Sequence, residues 1–304
     1  MKISALICGA ALLAAGGCVF HHERVAEAAP QAAVPAASAS VQRATVQDSE
    51  QFIVHSKITG ADFVIQVARP IQFTPPAAGQ KWPVTYVLDG TYLFGMVTPT
   101  ARLLPAERVT QSTYVVGIGF PEEGFMDYGV RRGRDLIHIA QKSQNPTGQG
   151  GGGAAFERFI KEELRPLIES RYPVNGAQSV LAGHSYGGLF TATVLANDPD
   201  AFAGYMIGSP SLQMDPALAD KVRAAASRGH GRVFISCGAN EGSNPAAMIG
   251  YTDALEAALK TAGSGFSVAR KTFPDETHTS SQGAWISAGL RFVLPPAPPA
   301  KATQ

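Results

Sequence analysis

A Gly-x-Ser-x-Gly pentapeptide, Gly183 to Gly187, is the segment of this sequence best suited to chemistry. An apolar run precedes it and a helical pattern follows it, which is the context of a sharp strand-to-helix turn. Such a turn strains the serine backbone and exposes the hydroxyl at the helix start, where the dipole favours negative charge. Ser185 is therefore predicted to be a nucleophile. The alternative is a glycine-rich junction without chemistry.

A nucleophilic serine needs a base, and seven histidines are available. His278 follows the last β-rich run of the chain, which is where the chain order Ser, acid, His places the histidine. His184 lies within the turn itself and is expected to point away from the position of a base. His278 is therefore the predicted base, and a merely solvated loop histidine is the alternative.

The third member of such a triad is a carboxylate that orients the histidine and stabilises its charged form. Glu241 follows the β-rich run that ends at Gly238, and it is the predicted acid. Asp275 is the other candidate, although it precedes His278 by only three positions. Glu241 could instead be a carboxylate favoured by the dipole at a helix N-terminus.

Two backbone N–H groups are expected to stabilise the oxyanion. One is that of Tyr186, directly after the nucleophile. The other is predicted to come from Gly90, or from Thr91, in the loop after an early apolar run, because glycine lets the backbone approach a substrate closely. A plain turn at Gly90 is the alternative.

Arg131 and Arg132 allow two interpretations. A guanidinium recognises carboxylates and catecholates well, so both residues are candidates for substrate binding. Alternatively they pair with Asp135 and Glu123 in a surface network that contributes little to stability.

Composition excludes some classes of function. The net charge of +1, with 16% charged residues, provides no field that would attract nucleic acid. His-x-x-x-His and Cys-x-x-Cys pairs are absent from the sequence, so no metal site is predicted, and the triad chemistry requires no organic cofactor. The expected partner is a small ester, and the chain is expected to act as a monomer.

Eight β-rich runs and several helical patterns must position these residues. The runs are Phe52–Lys57, Phe63–Ala68, Val84–Leu88, Tyr114–Ile118, Ser179–Ala182, Gly204–Ile207, Val233–Cys237 and Phe266–Thr272. The clearest amphipathic helix is predicted over Ala155 to Arg171. Alternation of strands and helices predicts an α/β-hydrolase fold: a mostly parallel sheet, opened by an antiparallel hairpin, with helices on both faces.

The first residues resemble a secretion signal. Lys2 precedes a short apolar run, Ile3 to Ala15, and small residues then lead to Cys18 as at a bacterial lipoprotein cleavage site. An ordinary signal peptide cut after Ala28 is the alternative. The chain is predicted to be periplasmic and anchored to the outer membrane by a lipid on Cys18.

Four segments are expected along the chain. Residues 1–18 form the signal peptide, 19–47 a flexible linker rich in Ala and Pro, 48–294 the α/β-hydrolase domain, and 295–304 a disordered tail.

Several motifs together resemble a family, the bacterial esterases that include esterase D-like α/β-hydrolases. The motifs are Leu88-Asp89-Gly90, Gly117 to Phe120, Arg131-Arg132 with Asp135, Phe156 to Pro173, Gly183 to Gly188, and Gly208-Ser209-Pro210-Ser211. Within the family, the chain is most similar to periplasmic hydrolases that open the trilactone of catecholate siderophores such as enterobactin. The resemblance implies ester hydrolysis by Ser185 and His278, with Arg131 and Arg132 near the substrate mouth. Leu212-Gln213-Met214 departs from the aromatic residues common there.

Other functions remain compatible with these residues. A general short-chain or polysaccharide-ester esterase would use the same triad, and so would an acyltransferase of the mycolyltransferase type. A non-catalytic exported binding protein that kept the fold is a third alternative.

Overall fold

The computed structural model describes residues 45–72, 77–121, 124–140 and 150–296. They belong to one compact unit, Ala44–Gln304. The predicted signal peptide with Cys18, nearly all of the linker, Glu123 and the end of the tail lie outside the described residues.

All eight predicted runs are strands of a single sheet. The strands are β1 (Ser49–His55), β2 (Asp62–Ala68), β3 (Trp82–Leu88), β4 (Tyr114–Gly119), β5 (Val174–His184), β6 (Gly204–Gly208), β7 (His230–Gly238) and β8 (Gly265–Phe273). Their order is β1-β2-β4-β3-β5-β6-β7-β8. β2 pairs antiparallel with both β1 and β4, and the other pairs are parallel. The predicted opening hairpin and mostly parallel sheet are confirmed.

Helices cover both faces of this sheet. They are α1 (Gly90–Leu103), α2 (Phe125–Leu136), α3 (Gly153–Arg158), α4 (Arg165–Arg171), α5 (Tyr186–Asn197), α6 (Leu218–Ala225), α7 (Pro245–Leu259) and α8 (Ser281–Val293). α1 and α8 pack together on one face, and the other helices lie on the opposite face. The central strands β3, β4 and β6 are buried throughout, which explains why their sequences are almost continuously apolar, with Thr85 as an exception, rather than apolar at alternate positions.

Two helices beside the site, α1 and α2, were not predicted. α1 contains Gly95 and Pro99, and α2 contains Gly129 and Gly133, which are poor helix formers that obscure the helical pattern. Burial of one side of α1 against the sheet outweighs that low propensity.

The predicted helix over Ala155 to Arg171 is present but not uniform. A π-helical turn, Phe159–Leu164, separates α3 from α4. Pro166, two positions after the end of this turn, has no N–H to donate to a preceding carbonyl, which accounts for the local widening.

Within the described residues, no helix combines the length and the apolar character needed to cross a membrane. In the same residues, His, Cys, Asp and Glu side chains form no group of three or more that could hold a metal ion.

The adjacent strands β3, β5 and β6 share an unusual feature at their carboxyl ends. The residue that follows each strand is a non-glycine with positive φ: 55° at Asp89, 63° at Ser185 and 40° at Ser209. Left-handed backbone of this kind costs roughly 1–3 kcal/mol per residue and is found most often at functional sites. Of the five described non-glycine residues with positive φ, three therefore lie at one edge, where the site lies, and Asp48 and Arg108 lie elsewhere.

Candidate active site

Ser185 occupies the predicted sharp turn between β5 and α5. Its φ of 63° and ψ of −118° are strained, and its N–H donates to Gly208 O over 2.9 Å. A Cβ on Gly183 would collide with Gly187 O, and one on Gly188 would lie 2.5 Å from Gly208 O. The turn is thus possible only because these positions lack side chains.

His278 lies in the loop between β8 and α8 and pairs with Glu241. His278 Nδ1 is 2.7 Å from Glu241 Oε2, and only 3% of the Glu241 side chain is exposed. Within the described residues, the His278 ring is hydrogen-bonded to Glu241 and not to Asp275. The geometry therefore brings together the two residues that the sequence analysis selected as base and acid.

Glu241 is held by two further donors. Ser209 Oγ and the N–H of Gly238 each donate to its Oε1 over 2.6 Å. Burial alone would raise the pKa of Glu241, but the hydrogen bonds from His278, Ser209 and Gly238 outweigh it and hold the pKa below its usual value. The carboxylate is consequently charged at neutral pH and oriented on both oxygens.

The imidazole of His278 lies against the nucleophile turn. Its ring centroid is 4.9 Å from that of His184, the residue before Ser185. With Nδ1 facing Glu241, Nε2 is the nitrogen left to accept the serine proton. No hydrogen bond between Ser185 Oγ and His278 is present among the described residues; the serine hydroxyl lies 3.5 Å from Ser211 Oγ.

His184 is buried beneath the site between Trp285 and His278. Burial, assisted by the nearby His278, lowers its pKa to about 3. His184 is therefore neutral at physiological pH, and its ring supports the His278 loop without adding charge.

The two predicted oxyanion donors both begin helices. Tyr186 is the first residue of α5, and Gly90 is the first residue of α1. A Cβ on Gly90 would lie 2.6 Å from Ile118 N, so the start of α1 is packed directly on the backbone of β4. The first N–H groups of a helix have no partner within it, which leaves both amides suited to bind an anion. Their role as oxyanion donors stays a prediction.

Arg132 is not part of the expected surface network. It makes a bidentate ion pair with Asp89, with Nε–Oδ1 and Nη2–Oδ2 both 2.9 Å, and its guanidinium lies 4.9 Å from the centre of the Tyr186 ring. Tyr128 Oη also donates to Asp89 Oδ1 over 2.6 Å.

Pairing of these arginines with Asp135, one of the two interpretations, was therefore wrong, whereas Glu123 lies outside the described residues. Asp135 pairs with Arg134 instead, through contacts of 2.7 and 2.6 Å, because the turn of α2 directs Arg132 towards the sheet edge. Arg131 pairs with Asp127 one helical turn earlier and keeps 34% of its side chain exposed. Substrate binding by Arg131 and Arg132 stays a prediction.

Reasoning from individual residues missed Asp89, Ser209 and Ser211, which entered only as parts of family motifs. One signal could have found the first two. Each is a polar residue directly after an apolar strand, at the same sheet edge as Ser185, and the carboxyl ends of adjacent parallel strands converge on one place.

Comparisons with known proteins agree with this architecture. The crystal structure of a BES protein from Bacillus cereus superposes with a TM-score of 0.75 at 26% identity, covering 84% of this chain and 98% of that one. The ferri-bacillibactin esterase BesA of Bacillus subtilis is 33% identical over 178 residues, 55% of this chain and 60% of BesA. The siderophore triacetylfusarinine C esterase of Aspergillus fumigatus is 34% identical over 168 residues, 54% of this chain and 56% of that enzyme. The chain thus spans less than two thirds of the length of these curated relatives. The structural similarity to the BES protein confirms the predicted fold.

A family model described as "Esterase: Putative esterase" matches residues 56–281. The matched segment contains β2 to β8, the nucleophile turn, Glu241 and His278, and it ends at the first residue of α8. Since the match extends over most of the sequence, this chain belongs to that esterase family.

Proposed function

We propose that the protein is a serine carboxylic-ester hydrolase that opens catecholate trilactone siderophores through an acyl-enzyme. The observation that carries the proposal is the 2.7 Å contact between His278 Nδ1 and the buried carboxylate of Glu241, beside the strained turn of Ser185. A carboxylate, an imidazole and a half-buried serine at one sheet edge are the arrangement that acyl transfer requires.

Each group has a defined part in the reaction. His278 Nε2 accepts the proton of Ser185 as the serine oxygen bonds to the ester carbonyl carbon. The imidazolium then donates that proton to the leaving alkoxide as the ester C–O bond breaks. Water, deprotonated by the same imidazole, attacks the acyl-enzyme and releases the acid and Ser185. Glu241 holds Nδ1–H throughout and stabilises the imidazolium.

The negative charge of the tetrahedral intermediate needs donors that are already in place. The N–H groups of Tyr186 and Gly90 supply them at the starts of α5 and α1, where both helix dipoles favour an anion. Each such donor contributes about 10²–10³ in kcat in serine hydrolases.

The substrate class is inferred from the relatives and from the side chains around the site. The curated relatives are named as esterases of bacillibactin and of triacetylfusarinine C, both siderophores. Arg131 on α2 is partly exposed and suits an anionic catecholate. Tyr92, on the first turn of α1, is 47% exposed and packs on Tyr128 with ring centroids 4.5 Å apart, which offers an aromatic face to a catechol ring.

A panel of esters tests the proposal: ferric and iron-free enterobactin, p-nitrophenyl acetate and butyrate, and a feruloyl ester. We expect the protein to convert enterobactin to linear products with a kcat/KM at least about tenfold above that for p-nitrophenyl butyrate. Ser185→Ala should lose about 10³-fold or more on every substrate.

The outcomes separate the parts of the proposal. Turnover of p-nitrophenyl esters without turnover of enterobactin would leave a general esterase and reject the siderophore. Transfer of the acyl group to an added alcohol in preference to water would identify an acyltransferase. Absence of turnover on the whole panel would reject the hydrolase and favour a binding protein.

We also propose that the protein is an exported monomer held at the outer membrane, on the periplasmic side, by a lipid on Cys18. The sequence of the first residues supports this, as described above. Labelling of cells with a palmitate analogue should mark the wild type but not Cys18→Ser, which should move to the soluble periplasmic fraction. Equal labelling of both, or of neither, would reject the anchor.

A further inference from the structure

We propose that Asp89 and Arg132 form a positioning pair that aligns the two oxyanion donors, and that Arg132 neutralises the Asp89 charge beside them. The proposal rests on the function proposed above. It assigns Arg132 to the alignment of catalytic backbone rather than to substrate binding.

On one side, Asp89 determines how α1 begins. It precedes Gly90 and adopts the left-handed conformation, with φ 55° and ψ 39°. Its carbonyl oxygen accepts the first main-chain hydrogen bonds of the helix, from Tyr92 N and Leu93 N, both at 3.0 Å. The direction of the Gly90 N–H therefore depends on the backbone conformation of Asp89. The Asp89 side chain is held in turn by its hydrogen bonds with Arg132 and Tyr128.

On the other side, the same pair contacts the start of α5. The guanidinium of Arg132 stacks 4.9 Å from the centre of the Tyr186 ring. A Cβ on Gly187 would lie 3.3 Å from Asp89 Oδ2. One ion pair thus contacts both helix starts that carry the predicted donors.

The pair is well shielded from solvent, with 17% of the Arg132 side chain and 6% of the Asp89 side chain exposed. A lone carboxylate there would oppose the negative charge that develops on the substrate, since little water screens the two. Burial would lower the pKa of Arg132, but Asp89 raises it, so the arginine stays charged and cancels the carboxylate.

The charge argument predicts an unusual order of activities. Arg132→Gln leaves an uncompensated carboxylate beside the oxyanion and should lower kcat for p-nitrophenyl butyrate about 100-fold, with KM within about threefold. Asp89→Asn should lower kcat about tenfold through lost alignment. The double variant Asp89→Asn with Arg132→Gln should be at least about tenfold faster than Arg132→Gln alone, because it removes the unpaired charge.

A matched control lies on the same helix. Arg134 pairs with the buried Asp135 by the same bidentate contact, but these two residues have no part in the site. Arg134→Gln should lower Tm while kcat stays within about threefold, and adding Asp135→Asn should restore Tm without changing kcat. A merely structural role for Arg132 would produce this same pattern.

Several results would overturn the proposal. One is a kcat for Arg132→Gln equal to that of the wild type, and a second is a rise in KM alone, which would make Arg132 a substrate-binding residue. A third is a double variant no faster than Arg132→Gln. If Arg132→Gln does not fold, Arg132→Lys replaces it: kcat should fall about tenfold at unchanged KM, and a KM effect alone contradicts the proposal. A wild type without turnover overturns both proposals, whereas an active wild type with unaffected variants overturns only this one.

Discussion

The carboxyl-end edge and the amino-end edge of the central strands differ in backbone strain and in the pairing of their polar groups. At the carboxyl ends of β3, β5 and β6, the residues Asp89, Ser185 and Ser209 have left-handed backbone, and the buried carboxylates of Asp89 and Glu241 are paired. At the amino ends, an opening of about 470 Å³ is lined mostly by polar groups such as Lys81 and Glu169. Among the described residues that directly precede these three strands, no non-glycine has positive φ.

The comparison shows that the size of an opening does not locate the chemistry. Two buried serines make the contrast concrete. Ser209, after β6, donates to Glu241 over 2.6 Å, whereas the hydroxyl of Ser179, near the amino-end opening, has no hydrogen-bond partner among the described residues. Strained backbone together with paired, buried carboxylates marks the edge where the candidate site lies.

Apart from replacement of Ser185 or His278, the largest effect at the carboxyl edge should come from Glu241→Gln. The amide keeps the size of the side chain but loses the charge that stabilises the His278 imidazolium, so kcat should fall about 10³–10⁴-fold. Steady-state rates with p-nitrophenyl butyrate measure this change. Asp275→Asn is the matched control and should stay within about twofold. A greater loss in Asp275→Asn than in Glu241→Gln would assign the acid to Asp275.

The carboxyl edge should also be the acid-sensitive edge. Burial lowers the pKa of His184 to about 3, whereas the unfolded chain titrates this residue near 6.5. The unfolded state therefore binds more protons below pH 6.5, and the contribution of neutral His184 is complete above that pH and declines towards pH 3. At about 1.4 kcal/mol per pH unit, the free energy of unfolding should be about 3 kcal/mol lower at pH 4 than at pH 7. Glu241, with its lowered pKa, adds a further loss below its unfolded value of 4.5.

Urea denaturation at pH 7, 5.5 and 4 measures this dependence. His184→Gln should reduce the dependence of the free energy of unfolding on pH between pH 6.5 and 5. His230→Gln, which replaces an exposed histidine paired with Asp200 at the amino end of β7, is the comparison variant. An equal effect of the two variants would show that the acid sensitivity does not come from the site.

A smaller effect is expected from Ser209→Ala. It removes one of the three hydrogen bonds that orient Glu241, and a hydrogen bond to a charged group contributes roughly 1.5–3 kcal/mol. We expect kcat to fall about tenfold with little change in KM. Activity equal to that of the wild type would mean that His278 and Gly238 suffice to orient the carboxylate.

The smallest effect should come from Ser179→Ala at the opposite edge. Its hydroxyl is buried without a partner, so removing it should leave kcat within about twofold and should not lower Tm. Parallel measurement of kcat and Tm for both serine variants tests the contrast between the edges. A loss of activity in Ser179→Ala as large as that in Ser209→Ala would show that the two edges do not differ in this way.

The sequence predicted those features that depend on local pattern and chain order. The buried central strands were identified from their nearly continuous apolar sequences, and the outer strands from short β-rich runs. His278 and Glu241 were selected because each follows a strand that ends at the site edge. Their 2.7 Å contact agrees with that selection.

Features that depend on tertiary contacts were not predictable in this way. Arg132 pairs with Asp89, 43 positions earlier in the chain, rather than with Asp135 on its own helix. A choice among several carboxylates is decided by how α2 packs at the sheet edge, which no local pattern encodes. The same holds for α1, whose Gly95 and Pro99 conceal a helix that tertiary burial stabilises.

Labelling with a fluorophosphonate tests the central claim most directly, because the probe reacts only with a serine activated by its base. Folded wild-type protein should carry one label, located on Ser185 by peptide mass spectrometry, and the rate of labelling should fall about 10³-fold or more in His278→Gln. A label on another serine, or labelling of Ser185 at the same rate without His278, would contradict the account.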